Sequence, residues 1–288
     1  MNAVLEVQGL SKKYPKSEFR LNDVSFSLPA GTIMGFVGEN GAGKTTTIGC
    51  ILNTLIKDSG SVKVFGKEMT DASIDIRDDI GVVYDSSVFP EHLTAVKISS
   101  AMRYVFSKWD NDLFKDYLRK FNLPESKTIK TYSRGMTMKL AVAVALSHRP
   151  KLLVLDEATT GLDPIIRDDV LEVFLDFVQE ETNSILLSSH IISDLERIAD
   201  YITFIHEGSI VFCEKKDDLI YNYGIMRCKA SQFAEIDKQD ILAYRKFDYQ
   251  VDVLVADRRA AERKYRDIVI DGVTIEEIML TLVKGEKL

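Results

Sequence analysis

Gly38-Glu39-Asn40-Gly41-Ala42-Gly43-Lys44-Thr45 fits the pattern GxxxxGK[ST] and lies between two segments of different character. The apolar run Ile33–Val37 precedes it, and residues 46–55 have the composition of a helix. A strand, a glycine-rich loop and a helix in this order form the context in which the pattern binds phosphate. An ordinary glycine-rich turn is the alternative, and the flanking strand and helix argue against it. The sequence therefore predicts a phosphate-binding loop in an α/β fold.

The residue types of this loop follow from the needs of a nucleotide polyphosphate. Main-chain amides must converge on the anion, and glycine permits the positive φ angles and the close approach that this requires. The following helix adds partial positive charge at its N-terminus. Lys44 adds a full charge for the β- and γ-phosphates, and Thr45 offers a hydroxyl to Mg²⁺. The predicted nucleotide contacts are Gly38, Asn40, Gly41, Ala42, Gly43, Lys44, Thr45 and Thr46.

Two carboxylates follow a second apolar run. Residues 151–155 read Lys-Leu-Leu-Val-Leu, and Asp156 and Glu157 come directly after them. Asp156, at the end of the predicted strand, is placed to hold Mg²⁺ through water. Glu157 can face a water in line with the γ-phosphate and act as its base. Solvated charges at a strand end are the alternative, but the phosphate-binding loop in the same chain favours the catalytic interpretation.

Short apolar runs alternate with helical stretches through most of the chain, which indicates a largely parallel sheet covered by helices. The predicted strands are residues 4–7, 32–37, 61–65, 80–83, 152–155, 184–187 and 201–205. The predicted helices are residues 45–56, 113–121, 136–146, 167–180 and 192–199. Residues 93–147 interrupt this alternation because they are helical throughout, so we expect a helical insertion into the α/β core.

Three further motifs and one aromatic residue give the chain a family resemblance. Asp156-Glu157-Ala158-Thr159-Thr160-Gly161-Leu162-Asp163-Pro164 resembles the Walker B and D-loop run of ABC ATPases. Tyr132-Ser133-Arg134-Gly135-Met136 lies where that family has its LSGGQ signature, and Leu187-Ser188-Ser189-His190 resembles its switch histidine segment. Tyr14 matches the aromatic residue that stacks on adenine. With the phosphate loop, these motifs extend the resemblance over about residues 1–215.

The resemblance implies a fold and a division into domains. It implies a P-loop NTPase core with an ABC-type helical subdomain at about residues 88–147 and an N-terminal antiparallel β portion, together forming an ATP-binding domain of residues 1–220. We expect residues 221–288 to form a small α+β C-terminal domain with a role in dimer contact or regulation. That segment holds twelve basic and twelve acidic residues, so the net charge of −7 belongs to residues 1–220.

The resemblance also implies magnesium-dependent hydrolysis of ATP by a pair of chains arranged head to tail. Lys44, Glu157 and His190 are the predicted catalytic residues, with His190 as the sensor of the γ-phosphate. Ser133, Arg134, Gly135 and Met136 would address the ATP bound to the partner, and Asp163 belongs to the D-loop. Each has an ordinary alternative. Tyr14 would be a packing residue, His190 a satisfied histidine and Ser133 simply a helix N-cap.

Several positions depart from the family pattern. Asp85 stands where the family usually has glutamine, and we predict that it still ligates Mg²⁺ and links the nucleotide to the helical insertion. Arg134 replaces a glycine of the signature, and it must either point away from the partner's phosphate or add a charge to it. Met136 stands where glutamine is common, and Ala158 replaces a proline.

The resemblance is greatest to ATPase subunits of bacterial exporters of drugs, antimicrobial peptides or amphipathic peptides. It implies a transmembrane permease partner and a second ATP-binding subunit, either identical or a close paralogue. The chain shows neither an apolar run of about 18 residues nor the features of a signal peptide, so we expect a cytoplasmic protein held at the inner face of the membrane by its permease. The residues expected to receive that permease, unless they are ordinary core, are Phe89, Pro90, His92, Leu93, Tyr104, Phe106 and Trp109.

Other functions remain open at this point. The chain could be a soluble ABC ATPase that acts in translation or DNA repair, or a regulatory subunit that binds ATP without hydrolysing it. The first usually requires two ATPase modules or long coiled-coil inserts, and the second conflicts with Glu157 and His190. The net charge of −7 argues against a general affinity for nucleic acid.

Overall fold

The computed structural model describes residues 3–16, 18–86 and 89–286. Its strands are β1 (Ala3–Lys13), β2 (Arg20–Pro29), β3 (Ile33–Val37), β4 (Ser59–Val64), β5 (Lys67–Glu68), β6 (Ile80–Tyr84), β7 (Leu152–Asp156), β8 (Ser184–Ser189), β9 (Tyr201–His206), β10 (Ser209–Lys215), β11 (Gly224–Cys228), β12 (Ala243–Lys246), β13 (Val251–Val255) and β14 (Val269–Gly272). Its α-helices are α1 (Lys44–Ile51), α2 (Ile74–Arg77), α3 (Ala95–Val105), α4 (Asn111–Lys120), α5 (Arg134–Leu146), α6 (Pro164–Phe177), α7 (Ile192–Ile198), α8 (Lys216–Asn222), α9 (Ala230–Phe233), α10 (Arg258–Lys264) and α11 (Ile275–Lys284). The described residues do not include residues 1–2 at the start of the first predicted domain or residues 287–288 at the end of the second. They also do not include Val88, where the predicted helical insertion starts.

A six-stranded sheet forms the centre of the molecule, in the order β10-β9-β3-β8-β7-β6. The neighbours from β9 to β6 are all parallel, and only the edge strand β10 is antiparallel. Every residue of β3, β7 and β8 is buried. Continuous apolar strands of this kind arise when helices or a second sheet cover both faces. The predicted α/β core is therefore confirmed.

The carboxyl ends of four parallel strands meet at one edge of this sheet. Val37 of β3 lies beside Ser189 of β8, Ser188 lies beside Asp156 of β7, and Asp156 lies beside Tyr84 of β6. The segments that follow these strands are the glycine-rich loop, His190, Glu157 and Asp85. The fold thus gathers on one edge motifs that are far apart in the sequence.

An antiparallel sheet in the order β2-β1-β4-β5 covers one face of the core. Its buried side chains share an apolar cluster with β3 and α1, including Phe26, Phe36 and Ile48. This confirms the N-terminal antiparallel portion that the resemblance implied. The alternation of exposed and buried residues in β2 matches a strand with one face on the core.

The helical insertion contains α3, α4 and α5, each begun by a side-chain cap. Thr94, Asp110 and Ser133 accept hydrogen bonds from main-chain amides of the first turns of α3, α4 and α5, respectively. Within the residues that the structure describes, no helix is both long enough and apolar enough to cross a membrane.

Helix α1 is shorter than the sequence predicted. It ends at Ile51 instead of extending to residue 56, because Asn53 adopts a left-handed conformation with φ 55°. The chain reverses there, the amides of Thr54 and Leu55 both bond to the carbonyl of Gly49, and Leu55 packs onto Gly49.

The C-terminal segment forms an antiparallel sheet in the order β12-β13-β11-β14, with a small apolar cluster of its own. Its last helix, α11, also packs against α7, and Ile275 and Ile278 belong to the main apolar cluster. The division predicted between residues 220 and 221 falls inside α8 and stays a prediction.

Candidate functional site

The glycine-rich loop leads from β3 into α1 through two residues with positive φ, Gly41 at 85° and Gly43 at 113°. A Cβ on Gly43 would lie 2.6 Å from Leu21 Cδ2 and 3.0 Å from Phe19 Cζ, so only glycine fits there. A Cβ on Gly41 would meet nothing within 4 Å. The open side of Gly41 lines a cavity of about 460 Å³, together with Asn40 and Ala42. The loop is therefore packed on one side and accessible on the other, as a phosphate cradle requires.

Lys44 is buried at the first position of α1, with 6% of its side chain exposed. Its ammonium donates to the carbonyls of Gly38 at 2.7 Å and Glu39 at 3.3 Å. Its third contact is an ion pair of 3.1 Å with Glu157 Oε1. A charge so deeply buried requires such partners. The loop lysine and the predicted base are thus in direct contact in this structure.

Glu157 is held by groups from three segments and adopts a left-handed φ of 56°. Its Oε2 accepts hydrogen bonds of 2.7 Å from Thr160 Oγ1 and from His190 Nδ1. Burial alone would raise the pKa of Glu157, but the bond from Thr160, the charge of Lys44 and the bond from His190 together hold it below its ordinary value. Glu157 is therefore a stabilised carboxylate in this state.

Asp156 ends β7 with 6% of its surface exposed. Its Oδ1 accepts a hydrogen bond of 2.6 Å from Ser188 Oγ, and the same hydroxyl accepts a bond of 3.2 Å from the amide of Glu157. Ser188, on the neighbouring strand β8, thus fixes both acidic residues. In the sequence, Ser188 stands within the switch segment, and no local signal there indicates this role.

The oxygen donors near the loop suit Mg²⁺, which prefers carboxylates, water and substrate phosphates over a closed protein cage. Thr45 is exposed at the start of α1, and Asp156 is oriented by Ser188. Among the described residues, no three His, Cys, Asp or Glu side chains are grouped as a metal site. Thr45 offers a hydroxyl and Asp156 a carboxylate, and oxygen donors of this kind are suited to Mg²⁺.

Tyr14 lies beside the loop, and its hydroxyl is 3.5 Å from Thr46 Oγ1. It lines an open cavity of about 620 Å³ that shares Glu18, Phe19 and Arg20 with the cavity next to Gly41. Phe19 lines both cavities, and it was not among the residues predicted from the sequence. Its position one residue before a strand that covers the loop was the only available signal.

The signature segment begins α5. Ser133 is the exposed N-cap and accepts the amide of Met136 at 3.2 Å, which confirms its capping role. Gly135 is buried under Ile166, where a Cβ would lie 2.4 Å from the Cδ1 atom. Asp163, in the N-cap position of α6, is exposed and makes no side-chain capping bond.

Arg134 points back onto its own chain. Its Nη2 donates to Asp85 Oδ1 at 2.5 Å and to the carbonyl of Thr160 at 2.9 Å. This resolves the direction of Arg134 that the sequence left open. It also gives Asp85 a partner that competes with the predicted magnesium role.

The aromatic residues of the helical insertion divide into two groups. Phe106 stacks on the buried His148 with ring centroids 3.9 Å apart, and Trp109 bonds to Ser99 and packs on Phe114. Tyr104, in contrast, is 93% exposed. Phe89 and Leu93 are half-buried against the main core. Trp109 therefore packs against the main apolar cluster, whereas Phe106 is half-buried and its ring contact is with His148.

Comparison with known proteins gives consistent matches. Residues 21–160 match the family model described as ABC transporter. The chain is 34% identical to the lantibiotic transport ATP-binding protein SrtF of Streptococcus pyogenes, over 75% of this chain and 92% of that protein. It is 32% identical to the bacitracin transport ATP-binding protein BcrA of Bacillus licheniformis, over 73% and 69%. It is 30% identical to the ABC transporter ATP-binding protein YtrB of Bacillus subtilis, over 76% and 75%.

Solved structures agree on the fold. An ATP-binding subunit of an ABC transporter superposes with a TM-score of 0.67 at 28% identity, covering 75% of this chain and 91% of that one. The ATP-binding cassette MJ0796, in a dimeric state bound to ADP and phosphate, superposes with a TM-score of 0.66 at 19% identity, covering 73% and 98%.

Proposed function

Because this chain belongs to the ABC transporter family of ATP-binding proteins, we propose that it hydrolyses ATP with Mg²⁺ to drive a separately encoded membrane exporter. The relatives named above are all transport ATP-binding proteins, which supports transport over a role in translation or DNA repair. Two of them carry lantibiotic or bacitracin in their names. We therefore propose an antimicrobial or amphipathic peptide as the cargo.

The contact between Lys44 and Glu157 supports a defined order of events at the site. An incoming β/γ-phosphate takes the place of the Glu157 carboxylate as the partner of Lys44. Glu157 then loses a positive neighbour and gains a negative one, and both changes raise its pKa. A carboxylate with a higher pKa is a better base towards the attacking water. His190 and Thr160 keep the carboxylate oriented while this happens.

The remaining groups have supporting roles in the proposal. Thr45 and Asp156 would hold Mg²⁺, which supplies neutralisation of the charge that develops on the transferred phosphoryl group. The loop amides from Gly38 to Gly43 bind the phosphates, and Tyr14 stacks on the adenine.

We further propose that two chains act as a head-to-tail pair. Ser133 and the N-terminus of α5 would then face the γ-phosphate of ATP on the partner, because an exposed helix start with a hydroxyl cap is suited to an anion. Asp163 would lie at the same junction. The permease would hold the pair at the inner face of the membrane, with the exposed Tyr104 among its contacts.

The observation that carries the proposal is the group formed by Lys44 at the start of α1, Glu157 directly after β7 and His190 directly after β8. The test is phosphate release by the purified chain with ATP and Mg²⁺. Lys44→Ala is expected to abolish it, whereas Lys63→Ala, an exposed lysine on β4, serves as the matched control. A Lys44→Ala variant that hydrolyses ATP at the wild-type rate would contradict the proposal. Co-purification with a membrane protein in detergent tests the transport role separately.

A further inference from the structure

One arginine side chain joins three segments of the site. Arg134, the first residue of α5, bonds to Asp85 at the end of β6 and to the carbonyl of Thr160 after β7. Its guanidinium also lies against Gly161, where a Cβ would be 2.7 Å from Nη1. The signature segment is thereby tied both to the strand that leads into the helical insertion and to the loop that follows the catalytic carboxylates.

Both charged partners stand at positions where this chain departs from the family pattern. The resemblance implies an uncharged glutamine at position 85 and a glycine at position 134, and that combination cannot form an ion pair. In this chain the positions carry opposite charges and lie 49 residues apart in sequence, yet they are in contact. We interpret the two departures as one unit in which each residue accounts for the other.

We propose that Asp85 and Arg134 form an ionic latch that positions the signature segment, and that Asp85 is the counter-ion of Arg134 and not a direct ligand of Mg²⁺. The proposal rests on the ATPase function proposed above and deepens it. A guanidinium 2.5 Å from the carboxylate opposes the approach of a second cation. Asp156 is buried, its carboxylate is oriented by the Ser188 hydroxyl, and it remains the proposed metal ligand.

The exposure of the pair indicates a latch that opens easily. The side chain of Arg134 is 52% exposed and that of Asp85 is 49% exposed. Solvent therefore screens the attraction, and such pairs contribute little to overall stability. A contact of this strength can break and re-form in every catalytic cycle while still biasing the orientation of α5 when it is closed.

The experiment is a double-mutant cycle with a charge swap. The variants are Asp85→Gln, Arg134→Gly, the double variant that restores the family residues, and Asp85→Arg/Arg134→Asp. For each we would measure kcat and KM for ATP, the Mg²⁺ concentration for half-maximal activity, and unfolding in urea. Lys67→Ala/Asp75→Asn removes an exposed ion pair away from the site and is the matched control.

The latch predicts that each single variant lowers kcat by a similar factor, up to about five-fold for an exposed pair. The double variant should be no worse than either single one, the swap should recover part of the loss, and the Mg²⁺ requirement should not change. If the swap fails to fold, Asp85→Asn/Arg134→Gln replaces it and must behave as the double variant does.

Three results would overturn the latch: effects that add without coupling, no effect of any variant, or a raised Mg²⁺ requirement for Asp85→Gln alone. The last result would restore the magnesium role of Asp85. The unfolding measurements should show a coupling energy between Asp85 and Arg134 of no more than about 1 kcal/mol. They can be made even if the wild type does not hydrolyse ATP, so failure of the latch and failure of the proposed function remain distinguishable.

Discussion

Replacing Glu157 by glutamine should have opposite effects on hydrolysis and on ATP binding. The carboxylate of Glu157 forms an ion pair of 3.1 Å with the ammonium of Lys44. In the proposed function, the phosphates of ATP bind to the same ammonium and displace this carboxylate. Glutamine has nearly the same size and shape as the glutamate side chain and can still accept the hydrogen bond from Thr160, but it carries no negative charge. We therefore expect the variant to bind ATP more tightly than the wild type and to hydrolyse it far more slowly.

The structure sets the size of the effect on binding. Both side chains are largely buried, with 6% of Lys44 and 16% of Glu157 exposed, so solvent screens the contact only partly. A hydrogen bond between charged groups contributes about 1.5–3 kcal/mol. Removing this competition should lower the Kd for ATP by about ten- to a hundred-fold at about 1.4 kcal/mol per decade. Loss of a general base should lower kcat by about 10²–10⁴.

The assay for binding is equilibrium titration with a fluorescent ATP analogue in EDTA, where metal and hydrolysis do not contribute. Phosphate release with Mg²⁺ then measures kcat on the same preparations. Lys63→Ala, an exposed lysine on β4, serves again as the control. An unchanged or weaker affinity of Glu157→Gln would refute the displacement of the carboxylate by phosphate, even if kcat fell as expected.

Three other predictions concern Ser188, the pKa of Glu157 and helix α11. Ser188→Ala removes a buried hydrogen-bond partner of Asp156. It should therefore raise the Mg²⁺ concentration needed for half-maximal ATPase activity and lower the free energy of unfolding by about 1–3 kcal/mol. The control Ser100→Ala, on the exposed face of α3, should change neither quantity. The pKa of Glu157 is held below its ordinary value of 4.5, so the ionised side chain stabilises the fold above that pH, and this stabilisation is lost as the pH falls through the folded pKa. The difference in the free energy of unfolding in urea between wild type and Glu157→Gln should therefore shrink on acidification. A difference that grows would contradict this prediction. Met279 lies on the half-buried face of α11 and lines a small cavity together with His190 and Gly38. Met279→Ala should lower the free energy of unfolding by about 1–2 kcal/mol and change the KM for ATP. An unchanged KM would mean that α11 has only a structural role.

The parts of the site that the sequence predicted are those that the local chain defines. The glycine-rich loop, Lys44 and the pair Asp156–Glu157 are contiguous motifs bounded by a strand, a helix or both, so their geometry depends mainly on neighbouring residues. The capping role of Ser133 is local for the same reason. These predictions required no knowledge of how distant segments meet.

The parts that the sequence did not predict depend on contacts across the sheet. Ser188 contacts Asp156 from 32 residues away, and Arg134 contacts Asp85 from 49 residues away. Such pairs become visible only when the strand order is known. Strand β2 was also missed, because its polar exposed face and the left-handed Asp23 at φ 54° give it little resemblance to a buried strand.

The contact between Lys44 and Glu157 gives the buried ammonium of Lys44 an anionic partner. A buried ammonium surrounded by loop carbonyls would be costly if it had no anionic partner. Glu157 supplies that anion, and in doing so it is held in a low-pKa form that is a poor base. In the proposed function, ATP first displaces the carboxylate from the lysine, and part of its binding free energy goes into releasing the group that activates water. In this proposal, the contact holds the pKa of Glu157 low until a phosphate replaces the carboxylate as the partner of Lys44.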